Sequence, residues 1–366
     1  MDVIYIQSVA RQIESCGSKV IRSIGIFGMD REMKVRAGST KTDFGIANPL
    51  AGRKLLVMKQ PDILIAEGKL RTPKKGSTMK QLLEIYQEAE KKGVAVGHFN
   101  VSDLTALMGV VAAAKDLSVP VVIGASEGER KFLGDRQLSA LVKSYRDETG
   151  LPIFLNADHT HSLESAVAAV KAGFDSVVFD LSALPFEENI RKTKEAIDVL
   201  KKVNPAVLIE GEIGDIGTGS QIHESIPDLS KGLTTAEEAR KFVESTGVDI
   251  LAPAVGNMHG MVASMIQGKE KKHLDLARIS QIKEATGSFL TLHGASGTND
   301  DDLRSCIKAG ITVIHINTEL RVAWRKSLEQ SLAEHKQEVV PYKILPAVID
   351  AIRQVASSRL KLFNNL

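Results

Sequence analysis

Cysteine is nearly absent. Cys16 and Cys306 are the two in 366 residues, too few for a disulfide framework, and a reducing cytoplasm is the expected setting. An excess of charge of one sign is also missing. With 47 basic and 45 acidic side chains the formal net charge is +2, which excludes a dedicated nucleic-acid binder or a polybasic membrane binder. The start lacks the basic n-region of a secretory signal. Long hydrophobic runs are lacking too: the longest uncharged stretch, Ile250 to Gly268, contains Pro253, Asn257, His259, Gln267 and three glycines, which are costly in a bilayer. What remains, 43% hydrophobic and 25% charged, is the composition of an ordinary globular protein long enough to bury a full core.

Between Val94 and Thr318 eight short aliphatic or β-branched runs read as buried strands: VAVGHFN, VPVVIGAS, LPIFLNAD, SVVFDLS, AVLIEGEIG, DILAPAVGN, SFLTLHG and TVIHINT. Most are separated by segments with helical spacing, such as LESAVAAVKAG and ENIRKTKEAIDVLKKV, and this alternation implies a parallel sheet. Eight such units over about 250 residues fit a (β/α)8 TIM barrel. A doubly wound open sheet usually has fewer strands and a glycine-rich first turn, and no GxGxxG follows any of these runs. Pro185 in LPFEEN fits a first helical turn, and the glycines of VKAGFD, STGVD and IKAGIT fit helix ends. Tyr342 to Leu360 reads as a further helix. Residues 1–78 break the pattern, and Met79 opens an amphipathic helix just before the first strand. The segment 1–78 is therefore either a small appended domain or a non-native start, with the barrel and its helical tail at 79–366.

Barrels carry their chemistry at the carboxyl ends of their strands. In chain order those ends hold Asn100, Ser126, Asp158 with His159, Asp180 with Ser182, Glu210 and Glu212, His259, His293, and Asn317 with Thr318. Histidines at the ends of three different strands, with a carboxylate ending a fourth, suit a catalytic zinc: three neutral nitrogens hold the ion and leave a position for a substrate oxygen. His161, His223, His273 and His335 fall in expected loops or helices and read as solvated surface. His315 is either a pocket residue or a satisfied core residue. Gly260 in NMHGM, and Gly294 to Gly297 with Ser296 in LHGASG, form glycine-bearing turns suited to phosphate, together with INTE after the eighth strand.

The combination of GHFNVSD, VVIGASEG, LNADHTHSLESAVAAVKAGFDSVVFDLSALPFEENI, IEGEIG, TGVDILAPAVGNMHG, LHGASG and INTELR resembles the class II, metal-dependent ketose-bisphosphate aldolases from about Met79 to about Arg325. The resemblance implies the following roles. His159, His259 and His293 bind zinc or another divalent ion, and Glu212 is an additional movable carboxylate of the metal site. Asp158 is the acid/base that exchanges a proton with the C4 oxygen. Gly260, Gly294, Ser296, Asn317 and Thr318 bind the phosphate of the dihydroxyacetone phosphate half, and Asn100 and Ser126 make further substrate contacts. It also implies a monovalent cation near that phosphate, a ketose bisphosphate and triose phosphates as reactants of carbohydrate metabolism (glycolysis), a cytoplasmic setting and a homodimer or homotetramer. Two departures stand out. Gly219 and Ser220 lie where the family's mobile loop carries acidic residues, which leaves Glu224 as the substitute catalytic candidate. Ala263 lies where the family often has a lysine.

Overall fold

The computed structural model describes residues 80–366, apart from 218, 220, 221, 226, 227 and 230, together with two short strands nearer the start. The chain divides into two units, Met1–Thr72 and Pro73–Leu366. In the first, Val35–Ala37 and Phe44–Ile46 pair antiparallel. Otherwise the choice between an appended domain and a non-native start lies outside the described residues.

In the second unit eight parallel strands close into a barrel: β1 Val96–Asn100, β2 Val121–Ser126, β3 Ile153–Thr160, β4 Ser176–Phe179, β5 Leu208–Ile213, β6 Ile250–Pro253, β7 Phe289–Leu292 and β8 Ile311–Ile316. Each pairs with its neighbour in sequence, and β8 returns to β1 with His315 opposite His98. The expected TIM barrel is therefore observed, and each of the eight apolar runs supplies one strand. Closure leaves no strand edge unpaired, so runs buried on both sides need not alternate with polar residues.

The helices are α1 Leu82–Lys92, α2 Leu104–Leu117, α3 Glu127–Leu133, α4 Asp135–Thr149, α5 Leu163–Ala172, α6 Phe186–Val203, α7 Ala236–Thr246, α8 Ala263–Ile266, α9 Leu276–Thr286, α10 Asp300–Ala309, α11 Thr318–Glu334, α12 Pro341–Ile344 and α13 Pro346–Phe363. None of the described helices is long and apolar enough to cross a membrane. Gly173 and Gly247 end α5 and α7 in the left-handed conformation, as the sequence suggested. Pro185 differs: it is extended (φ −53, ψ 140) and caps α6 from outside its first turn.

Leu82, Ile85, Tyr86 and Ala89 lie on one face of α1 and close the floor of the barrel against Val96, Val122, Phe154, Leu208, Ile250 and Val313. The tail is two helices, since Pro346 starts a new one after α12. Its buried residues Val348, Ile352, Ala356, Leu360 and Phe363 recur at three- and four-residue spacing, a single face of α13. That face packs on α2 so closely that a Cβ at Gly109 would stand 2.6 Å from Ile352 Cγ2. Beyond it, the Ala95 N–H donates to the Phe363 carbonyl at 3.0 Å.

Candidate active site

Successive side chains of a regular strand point to opposite faces, so Asp158 and His159 could not both enter the barrel mouth from an undistorted β3. The register of β3 against β4 slips between Ala157 and Thr160, and His159 has a φ of 41°. This bulge brings both neighbours into one pocket, with Asn100, His259, Gly260, Gly294, Ser296, His315, Asn317 and Thr318. A left-handed non-glycine residue costs about 1–3 kcal/mol and persists only where its surroundings fix it.

Here the fixing partners are hydrogen bonds. His159 Nδ1 donates to Asp180 Oδ2 at 2.8 Å, His259 Nδ1 to the Gly217 carbonyl at 2.8 Å, and His293 Nε2 to Glu210 Oε1 at 2.6 Å. Each imidazole thus carries its proton on the outward nitrogen. The inward nitrogens face one another, with His159 Nε2 3.1 Å from both His259 Nε2 and His293 Nδ1. Lone pairs at that distance repel unless a proton or a metal ion lies between them. Nitrogens arranged tetrahedrally around a zinc about 2.0–2.1 Å away would stand roughly 3.3 Å apart, close to what is seen. The donor set and its outer partners fit a divalent ion.

The surrounding charge points the same way. Asp158, Asp180, Glu210 and Glu212 are all buried here. Burial and the nearby Asp180 push Glu212 up to about 7. Burial works against a charge on His159, but Asp158, Asp180 and Glu212 outweigh it and raise the imidazole to about 10. Burial and the two other imidazoles pull His259 down to about 3. So many buried acids demand positive charge, and a protonated His159 supplies it in the metal-free protein. Asp158 accepts from Asn100 Nδ2 at 2.8 Å through Oδ2, while its buried Oδ1 has no hydrogen-bond partner. Asn100 is itself fixed by Glu129, which Arg321 holds at 2.6 Å.

On the other wall, Ser296 Oγ accepts from the Asn317 and Glu319 amides at 3.3 and 3.4 Å, at the N-terminus of α11. Helix N-termini and glycine turns favour anions. Gly294 has a φ of 59°, and a Cβ there would lie 2.2 Å from the Met258 carbonyl oxygen, so only glycine fits. Together the two walls pair a cation-demanding cluster with an anion-receptive one.

The family description "Fructose-bisphosphate aldolase class-II" matches residues 80–366. The chain belongs to the class II fructose-bisphosphate aldolase family. It is 32% identical over 305 residues to the fructose-bisphosphate aldolase of Thermus caldophilus, covering 78% of this chain and 97% of that relative. The YdjI aldolase of Escherichia coli K12 shares the fold with a TM-score of 0.66 at 30% identity, over 78% of this chain and 97% of the other. A putative fructose-1,6-bisphosphate aldolase from Coccidioides immitis matches with a TM-score of 0.66 at 25% identity, over 78% and 96%.

Within this family member the pocket gathers nine of the expected positions: Asn100, Asp158, His159, His259, Gly260, Gly294, Ser296, Asn317 and Thr318. His293 lies fully buried against His159, and Glu212 Oε2 stands 3.4 Å from His293 Nδ1. Besides these two, Ser126 and Glu224 also fall outside the lining. Ser126 caps α3 and gives its hydroxyl to Glu129 at 3.0 Å. Glu224 is exposed.

His223 is not the solvated residue the sequence suggested, because it is half-buried and its Nε2 donates to the His259 carbonyl at 3.0 Å. His315 does face the pocket. It stacks on His98 with ring centres 3.4 Å apart and on His293 at 4.1 Å, and its Nδ1 lies 3.5 Å from Asp158 Oδ1. Gly124 makes the room for His98, since a Cβ there would fall 2.0 Å from that ring. The sequence signals for Asp180 and Glu210 as outer partners were their places at strand ends. His98 and Lys272 had no comparable signal.

Proposed function

We propose that this chain is a class II aldolase with a divalent metal, zinc first, that reversibly cleaves fructose 1,6-bisphosphate to dihydroxyacetone phosphate and glyceraldehyde 3-phosphate. The observation that carries it is the convergence of three imidazoles, with His159 Nε2 3.1 Å from a nitrogen of each of the other two, beside a buried Asp158 oxygen that makes no hydrogen bond. His159, His259 and His293 would hold the ion, with Glu212 as an additional carboxylate. When bound, such an ion supplies Lewis-acid stabilisation of the negative charge that cleavage beside a ketone develops on substrate oxygens.

The chain's own groups do the rest. Asp158 takes the C4 hydroxyl proton during cleavage and returns it during synthesis, with Asn100 holding its other oxygen. Gly260, Gly294, Ser296, Asn317 and Thr318 receive the phosphate, and Asn100 contacts the sugar. The carbon released by cleavage needs a proton, and Glu224 is the proposed donor from the loop after β5. Tagatose 1,6-bisphosphate, which differs only in configuration at C4, is the neighbouring substrate.

A coupled cleavage assay on both sugars, with metal-loaded and chelated protein, tests the reading. Metal-dependent cleavage of either supports it, and tight metal with no cleavage of either sinks it. A second reading, a metal-dependent sugar-phosphate-binding barrel without turnover, draws on the exposure of Glu224 and the absence of any loop carboxylate among the described pocket-lining residues. Ligand binding without cleavage distinguishes it.

A further inference from the structure

Lys272 is a lysine in an unusual place. Its residue is 1% exposed, and none of the ion pairs found among the described residues involves it. A buried ammonium without a paired carboxylate is costly and calls for compensation. The compensation is three backbone carbonyls: Lys272 Nζ donates to Met258 O at 2.9 Å, Gly260 O at 3.1 Å and Gly294 O at 2.7 Å. Three acceptors need three N–H groups, which only the charged amine has. Burial pulls the group down to about 7, with Glu319 opposing, while the three carbonyl acceptors favour its charged form.

The three carbonyls belong to the turns after β6 and β7 that carry His259 and His293. Gly260 and Gly294 of those turns line the pocket, whereas no lysine or arginine is among its described lining residues. Lys272 therefore places its ammonium one peptide layer behind the wall. Its backbone is clamped as well, its amide donating to the Gly297 carbonyl at 3.1 Å and its carbonyl accepting from the Asn299 amide at 3.1 Å. Carbonyl oxygens gathered in this way are how proteins replace the hydration shell of a monovalent cation. The monovalent cation that the family resemblance implied would need such oxygens, and these are already taken.

We propose that the Lys272 ammonium is a tethered substitute for a monovalent cation, binding the two histidine-bearing turns together and drawing a phosphate group to their pocket face. This rests on the reading of Gly260 and Gly294 as the phosphate wall. Lys272 acts through those turns and is a positioning residue.

The test compares the metal-loaded parent with Lys272→Ala and Lys272→Met in buffers whose monovalent cation is potassium, ammonium or the bulky tetramethylammonium. Three quantities are read: affinity for inorganic phosphate, thermal midpoint, and KM and kcat for the bisphosphate. The parent should change less than about twofold between cations. Lys272→Ala should bind phosphate about tenfold or more weakly in tetramethylammonium, with KM raised more than kcat is lowered, and potassium or ammonium should restore much of the loss. Lys272→Met fills the space without charge and should show the loss without the rescue.

Potassium activation of the parent by several-fold would overturn the proposal, as would parent-like phosphate affinity in both variants, or a loss in Lys272→Ala that no small cation restores. If Lys272→Ala does not fold, the parent's cation profile and Lys272→Met still decide. A parent that cleaves neither sugar bisphosphate counts against the aldolase reading alone, because phosphate affinity and its cation rescue do not require turnover.

Discussion

At the floor of the barrel, α1 lays Leu82, Ile85, Tyr86 and Ala89 over the leading ends of six strands in ordinary helical geometry. At the mouth, three imidazoles and four buried carboxylates crowd together, one of the imidazoles on a residue with a left-handed backbone. The same eight strands supply both ends. Apolar burial at the floor stabilises the fold by roughly 25 cal/mol per Å², whereas strain and buried charge at the mouth cost stability until a cation is present. The difference teaches that the mouth is held in shape by the rest of the barrel and by what it binds.

The comparison is broken most directly at the metal cluster. His259→Ala or His293→Ala should abolish stoichiometric metal binding and lower cleavage by about a thousandfold or more. Metal analysis and the coupled cleavage assay report both. Asp158→Ala should keep its metal and lose about a hundredfold in kcat, measured by the coupled assay. Glu210→Gln weakens the acceptor behind His293, and a competing chelator should show metal affinity reduced about 10–100-fold with the barrel intact. The floor supplies the contrasting case. Ile85→Ala should lower unfolding stability by about 2–4 kcal/mol in denaturant titrations while leaving kcat and KM of the folded protein unchanged. Loss of metal from that variant under native conditions would show that the two ends are not separable.

The difference between the ends also explains what was legible in the sequence. Strand existence was readable because each strand is a short aliphatic run bounded by turn residues, and the floor helix because Leu82, Ile85, Tyr86 and Ala89 repeat at helical spacing. The metal cluster was readable as strand-end histidines once a barrel was assumed. The β3 bulge was not, because it depends on register against β4, which the pattern of β3 alone does not carry. Lys272 sits in the run GKEKKH, which reads as a solvated charged loop; its burial is decided by carbonyls from two other turns. The stacking of His98 on His315 likewise requires the pairing of β1 with β8. Local pattern marked the elements and the strand-end chemistry, while pairings between separate segments settled the departures.

The bond from Ala95 to Phe363 bears on how the chain is made. Its two partners lie about 270 residues apart, and β1 also awaits β8 for its second neighbour. At about 5–20 residues per second, synthesis leaves the open side of β1 without β8 for on the order of 10–40 s. Throughout that interval the first strand is an unsealed edge, so an arrest of translation before β8 should leave a species that binds chaperones or aggregates.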